Sequence, residues 1–490
     1  MRFLLNLSFF SFFLLSIIQA QTINFNDYFT DQTMRIDYFH IGDANSEVVT
    51  LDQGYQYGIW AGSLNNLLDN FNNGAYYYKV YDAASGRLIF SRGFDSYFKE
   101  YQTSDEASKG IKRTYHESAI IPFSKNKIKF VIEKRDRKNN LNEVYSTEID
   151  PADLYIIKDA VMDKSVKVYK SHHSGDSHKK VDVVILAEGY SALEQKKFEK
   201  DLKRYTNLFL GREPFKSNKD KFNIYGVFKA SQESGIDEPG ANIYKSTTLS
   251  TRFYSLGSER YVLTEDNKAM RDLAAQVPYD AIYIMCNSAR YGGGGIYNFY
   301  CTFTSDNQFS PYIFLHEFGH SFGGLADEYY TSDVAYNEFY PEGQEPFEPN
   351  ITRMLDKNNL KWKNLLTPSI EIPTPWEKEN YDKMDYAWQK ERREMNKHIA
   401  ELKRNKVSKK EIDAAQNEYN VKDKIHGDEV DKYLMNSRFW NKVGLFEGAG
   451  YSAQGVYRSM IDCLMFSKGT KPFCKVCEEH VIKVIKHFVE

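Results

Sequence analysis

At 490 residues the chain is long enough for two or three domains, and with 42% hydrophobic residues, 36 Tyr and 33 Phe it can bury a sizeable core. Its 64 basic and 67 acidic side chains nearly cancel to a net charge of -3, so there is no global positive field to attract nucleic acid or an anionic membrane. Five cysteines are too few for a disulfide scaffold at this length.

Residues 1–20 run from Arg2 through an apolar stretch, Phe3 to Ile18, to Gln19-Ala20. A short positive end, a hydrophobic middle and a small residue at the end are the pattern of a secretory leader cut after Ala20. A membrane-spanning helix is the competing reading, but the run is short and broken by Asn6, Ser8, Ser11 and Ser16. No Cys follows Ala20 to carry a lipid, and no later stretch is apolar for long enough to span a bilayer. The expectation is an exported chain (secreted, periplasmic or cell-surface) with no transmembrane anchor once the leader is removed.

From 21 to 165 the pattern is β. Tyr76 to Tyr81, a Gly-containing turn at Asp82 to Gly86, and Arg87 to Phe90 read as strand, turn, strand. Lys127 to Glu133 and Val144 to Ile149 flank a further polar turn. Several short strands without long helices predict a β-sandwich, which serves as a scaffold or binds substrate or a glycan.

From 166 to 490 the pattern changes. Val181 to Ala187 is an apolar run fit for a buried strand, followed by a charged helix from Ala192 to Leu208. Phe222 to Phe228 and Ala281 to Met285 read as strands, with helical residues at Met270 to Gln276, so strand and helix alternate as in an α/β sheet domain. Gly292 to Gly295 then precede a strand predicted over Ile296 to Phe303, where glycine lets another backbone approach. An edge strand of this kind can pair with an extended peptide, which makes Gly294 and Gly295 candidate substrate-binding residues.

Ser310-Pro311 opens the next predicted helix as a cap and a first-turn proline. It carries His316-Glu317-Phe318-Gly319-His320. Positions i and i+4 share a helix face, so two neutral imidazoles can grip one metal ion while the intervening Glu317 handles a proton. This is the His-Glu-x-x-His arrangement of zinc proteases, and it calls for one catalytic Zn2+ with three protein ligands and an open position for water. Gly323 and Gly324 allow a sharp turn back to the metal. Metzincins share His-Glu-x-x-His-x-x-Gly, but their usual third ligand falls at Ala326 here, which cannot bind metal. The nearest candidates are Asp327 and Glu328, with Asp327 favoured as the shorter and closer carboxylate.

Residues 370–430 stand apart. Met384, Trp388, Met395, Ile399 and Leu402 recur at helical spacing amid dense charge, and Ser408 with Glu411 forms a capping box. The prediction is a helical hairpin inserted into the second domain, its charges forming a solvated face, with a lid or exosite as the sharper alternative. Near the C-terminus Cys463, Cys474 and Cys477 cluster. With no second Cys pair to complete a zinc ribbon, a local disulfide between two of the three is expected.

The stretch from His316 to Tyr329 resembles the signature of the M64 peptidases, the IgA-peptidase family. Gly444 to Tyr451, Tyr457-Arg458, Cys463-Leu464-Met465 and Phe473 to Cys477 are similar to the family's later blocks. The resemblance covers about 180 to 490, and the β-rich region resembles the family's N-terminal domain. It implies a multidomain α+β chain: an N-terminal β-sandwich, then a metzincin-like α/β zinc-peptidase domain in which Met465 forms the methionine turn beneath the metal. It also implies hydrolysis of a protein or peptide substrate, with immunoglobulin A or other host glycoproteins suggested by the family's name alone. In that chemistry Glu317 takes a proton from water and passes it to the leaving amine, and Tyr451 or Tyr457 hydrogen-bonds the oxyanion. The competing class is a non-catalytic surface protein that binds glycan or protein and holds a structural metal.

Overall fold

The computed structural model describes residues 23–158, 163–331 and 339–490. The expected leader, residues 1–20, lies outside them. Among the described residues no helix is long and apolar enough to cross a membrane.

The N-terminal domain holds two four-stranded sheets. One runs in the order Arg113–Ser124, Phe29–Gly42, Glu47–Tyr57, Ile156–Ile157; the other runs Leu88–Phe94, Tyr76–Asp82, Ile128–Arg135, Leu141–Ile149. Except for the short last strand of the first sheet, all pairings are antiparallel. Alternation along each strand sends one set of side chains inward. Met34, Ile36 and Tyr38 from the first sheet and Tyr76, Tyr78, Val80, Phe130 and Ile132 from the second share one core. Much of the chain's tyrosine is therefore spent on packing rather than on display.

The second domain is built on a six-stranded sheet in the order Gly293–Ile296, Tyr300–Thr304, Ala281–Cys286, Val181–Glu188, Phe222–Phe228, Lys167–His172. Its middle is parallel and both edges are antiparallel. The residues of Val181–Glu188 and Phe222–Phe228 are buried throughout, as expected of strands covered on both faces. Two strand bounds depart from expectation. The run predicted over Ile296 to Phe303 breaks at Tyr297 to Phe299, because Asn298 adopts a left-handed φ of 52° and turns the chain into a tight hairpin. Gly293 to Gly295, expected to precede the strand, are themselves the edge strand.

Two 27-residue helices, Lys378–Arg404 and Lys409–Met435, run back on each other. Trp388 stacks on His426 with ring centroids 5.2 Å apart. The Ser408–Glu411 capping box opens the second helix. The buried stripe of the first is Tyr381, Asp385, Trp388, Arg392 and Ile399, whereas Met384, Met395 and Leu402 are only half-buried.

Candidate active site

The helix Ser310–Ser321 positions the motif. At about 100° per residue, Phe314 and Phe318 lie on the face opposite His316 and His320. The two phenylalanines press on the sheet through Tyr283, with centroids 4.5 and 5.1 Å away. That anchoring turns the imidazoles outward. Ser310 is the first helical residue rather than the cap; its hydroxyl accepts from the Asn307 amide and donates to the Thr304 carbonyl. After Phe322 the chain turns at Gly324, φ 59°, whose N–H bonds the His320 carbonyl at 2.9 Å. Asn73 of the N-terminal domain holds this turn from outside, its amide donating to the Gly324 carbonyl at 3.0 Å.

The turn brings Asp327 back to the helix. Its Oδ1 lies 3.0 Å from His316 Nε2 and 3.2 Å from His320 Nε2, and the two nitrogens are 3.1 Å apart. Both rings are fixed from behind. His316 Nδ1 faces the Leu464 carbonyl at 3.0 Å, and His320 Nδ1 faces the Leu325 carbonyl at 2.6 Å. Donating Nδ1–H to these carbonyls leaves each Nε2 with a free lone pair. Asp327 Oδ2 accepts the Tyr451 hydroxyl at 2.5 Å, while Oδ1 is buried with no hydrogen-bond donor. Three potential ligand atoms therefore converge on one point. Their spacing is close to the roughly 3.3 Å edge of a tetrahedral zinc site with bonds of about 2.0–2.1 Å, so the donor set fits a zinc ion.

The electrostatics agree. Burial works against a charged Asp327, yet His320 and His316 hold its carboxyl well below the usual range. Against the lowering effect of burial, Asp327 pushes the His320 imidazole up to about 9. The trio needs a cation, either a proton or a metal. Burial raises the Glu317 carboxyl, reinforced by Asp327 and opposed by His316, His320 and Arg260.

Glu328 does not join this group. Its side chain points the other way, with Oε1 3.2 Å from Cys477 Sγ. Met465 is fully buried beneath the motif; a Cβ on Gly319 would meet its sulfur at 2.7 Å. Of the expected substrate residues, Gly295 lines the cavity over the site together with Gly293, whereas Gly294 pairs inward with Thr302 and is not among the lining residues. Tyr457 sits on the strand Ser452–Met460 opposite Thr352 and does not line the cavity either. Tyr451 does, bonded to Asp327 rather than poised freely for an oxyanion.

Several wall residues were not expected there from the sequence. Arg260 donates to the Tyr329 hydroxyl at 3.1 Å beside the site, and both line the cavity. Asp385, Trp388 and His426 of the paired helices, and Asp95 and Glu100 of the N-terminal domain, line it too. The long helices thus do not present only a solvated charged face. The expected C-terminal disulfide is absent: all five cysteines are free thiols, and Cys463 Sγ stands 3.8 Å from Cys477 Sγ against about 2.05 Å for a bond.

No curated protein matches the chain. Its residues 170–485 match the profile of the IgA peptidase M64 family, and residues 24–146 match that of the peptidase M64 N-terminus. The first match alone takes in more than half of the sequence, including His316, Glu317, His320 and Asp327, and on it the chain belongs to the M64 peptidase family.

Proposed function

We propose that the chain is an exported zinc metalloendopeptidase in which His316, His320 and Asp327 hold the ion and Glu317 is the general base. The observation that carries this reading is the buried, donorless Asp327 Oδ1 aimed between two imidazole nitrogens. A zinc ion held by His316, His320 and Asp327 would supply Lewis-acid polarisation of the scissile carbonyl and acidify the attacking water. Glu317 takes a proton from the attacking water and hands it to the departing amine. Arg260, beside Tyr329 on the cavity wall, orients the substrate's carbonyl side.

The edge strand Gly293–Ile296 takes the substrate main chain. Gly293 already uses its outward N–H and C=O on Arg260 and Val262, so by two-residue alternation Gly295 presents its own pair to the same side. Met465 beneath Gly319 supports a metzincin-like site, and the paired helices act as an inserted hairpin walling the cleft. Residues 21–165 and 166–490 are the two domains of this reading, and export rests on the leader pattern. Immunoglobulin A and other glycoproteins are the first substrates to try.

The test is Glu317→Gln. The variant should retain one zinc at the His316–His320–Asp327 site and lose cleavage of denatured casein by at least about 100-fold. Wild-type turnover in Glu317→Gln would exclude the mechanism.

A further inference from the structure

Glu328 and the three C-terminal cysteines form a second cluster. Cys463 Sγ, Cys474 Sγ, Cys477 Sγ and a Glu328 carboxylate oxygen lie within 4.8 Å of one another, and all four residues are buried. Cys463 and Cys477 sulfurs are 3.8 Å apart, and Glu328 Oε1 is 3.2 Å from Cys477 Sγ and 3.8 Å from Cys474 Sγ. A tetrahedral zinc with Zn–S of about 2.3 Å and Zn–O of about 2.0 Å requires S···S near 3.8 Å and S···O near 3.5 Å. From these distances and this donor set we propose that the chain holds a second, structural zinc ion on Cys463, Cys474, Cys477 and Glu328.

Independent features point the same way. Glu328 is fully buried, and its Oε2 has no hydrogen-bond partner, a costly state for a carboxylate unless a cation sits beside it. Two of the three sulfurs receive N–H donors of the kind thiolates need: Cys474 N bonds Cys463 Sγ at 3.2 Å, and Cys477 N bonds Cys474 Sγ at 3.4 Å. Cys474 is the N-cap of the 15-residue helix Lys475–Val489, whose positive end favours anionic sulfur. Ser459 Oγ lies 3.2 Å from Cys474 Sγ, and Asn350 Nδ2 donates to Glu328 Oε1 at 3.0 Å. Four protein ligands leave no open position for water, which makes the site structural rather than catalytic.

Its place in the fold gives it a task. The Glu328 amide bonds the Met465 carbonyl at 2.8 Å, and Asp327 precedes Glu328. The Leu464 carbonyl that orients His316 follows Cys463 directly. One ion therefore clamps together the turn that presents Asp327 and the segment that supports His316 and runs beneath Gly319.

The experiment counts metal in the full chain, expressed with zinc and dialysed against metal-free buffer. The His316→Ala/His320→Ala chain should keep one zinc per molecule, and adding Cys463→Ser and Cys477→Ser should remove it. Because the cysteine variants can misfold, a second arm leaves every cysteine in place. The His316→Ala/His320→Ala chain is loaded with Co2+, and a sulfur-to-cobalt charge-transfer band with tetrahedral d–d absorption is expected. A metal-free double-histidine chain without that band would overturn the proposal. So would an intact mass lower by the two hydrogens of a disulfide among the three cysteines.

Discussion

Replacing Tyr451 by Phe removes one oxygen and leaves the ring. That oxygen donates to Asp327 Oδ2 at 2.5 Å, and Asp327 is buried. A hydrogen bond to a charged acceptor is worth about 1.5–3 kcal/mol. Loss of a group that orients a metal ligand typically weakens affinity about 10–100-fold, or roughly 1.4–2.7 kcal/mol, so the two routes agree. Tyr451 also sits at φ 62° in the turn between the strands Val443–Ala449 and Ser452–Met460, a left-handed conformation that costs a non-glycine residue about 1–2 kcal/mol. Such strain persists where the surroundings demand the residue, and here it aims the hydroxyl at the site. Phe keeps the strain and loses the bond. Zinc affinity is measured by competition with a chromophoric chelator, and Tyr457→Phe, off the cavity wall, serves as the control. Tyr451→Phe should release zinc about 10–100-fold more readily while the control stays at wild type. Equal affinity in Tyr451→Phe and wild type would refute the role of the hydroxyl.

Gly295→Ala places a Cβ 2.5 Å from the Glu317 carbonyl oxygen and 3.0 Å from His320 Cβ, so the edge strand must move off the helix. Turnover should fall with a stability loss of about 1–3 kcal/mol; full casein turnover would remove this strand from the cleft. Asn73→Ala deletes the tie to the Gly324 carbonyl from a fully buried side chain, and the urea midpoint should drop by the equivalent of about 1–3 kcal/mol. An unmoved midpoint would show that the N-terminal domain does not brace the turn. Burial, helped by Lys483 and Arg92 respectively, pushes the imidazoles of His480 and His487 each down to about 4. Below about pH 6.5 the unfolded chain binds protons that the folded chain refuses until about pH 4, so stability is full above 6.5 and falls through that window. His480→Phe with His487→Phe should flatten the decline of the urea midpoint between pH 7 and pH 5, and an unchanged slope would show these rings do not drive it.

What was legible in the sequence was local. The i, i+4 imidazoles with Glu317 between them follow from helix geometry, and the strands Phe222–Phe228 and Val181–Glu188 follow from mostly apolar runs. The Ser408 capping box is a four-residue pattern and needed no tertiary information. Less legible was the face that the long helices turn to the cleft, because Asp385 and Arg392 in their buried stripe look, in a charged sequence, like solvated residues. Arg260 carried no signal either, since it reaches the site from far along the chain and is one of many of its kind, and Tyr451 was expected at the oxyanion rather than on Asp327.

The sharpest division falls between two adjacent carboxylates. Sequence spacing narrowed the third acid to Asp327 or Glu328, with Asp327 favoured as the shorter side chain. The folded chain separates the two, because consecutive side chains on an extended segment leave on opposite sides. Asp327 swings toward His316 and His320, and Glu328 swings toward Cys463, Cys474 and Cys477. That second destination is assembled from residues more than a hundred positions away, and chain spacing could not have suggested it.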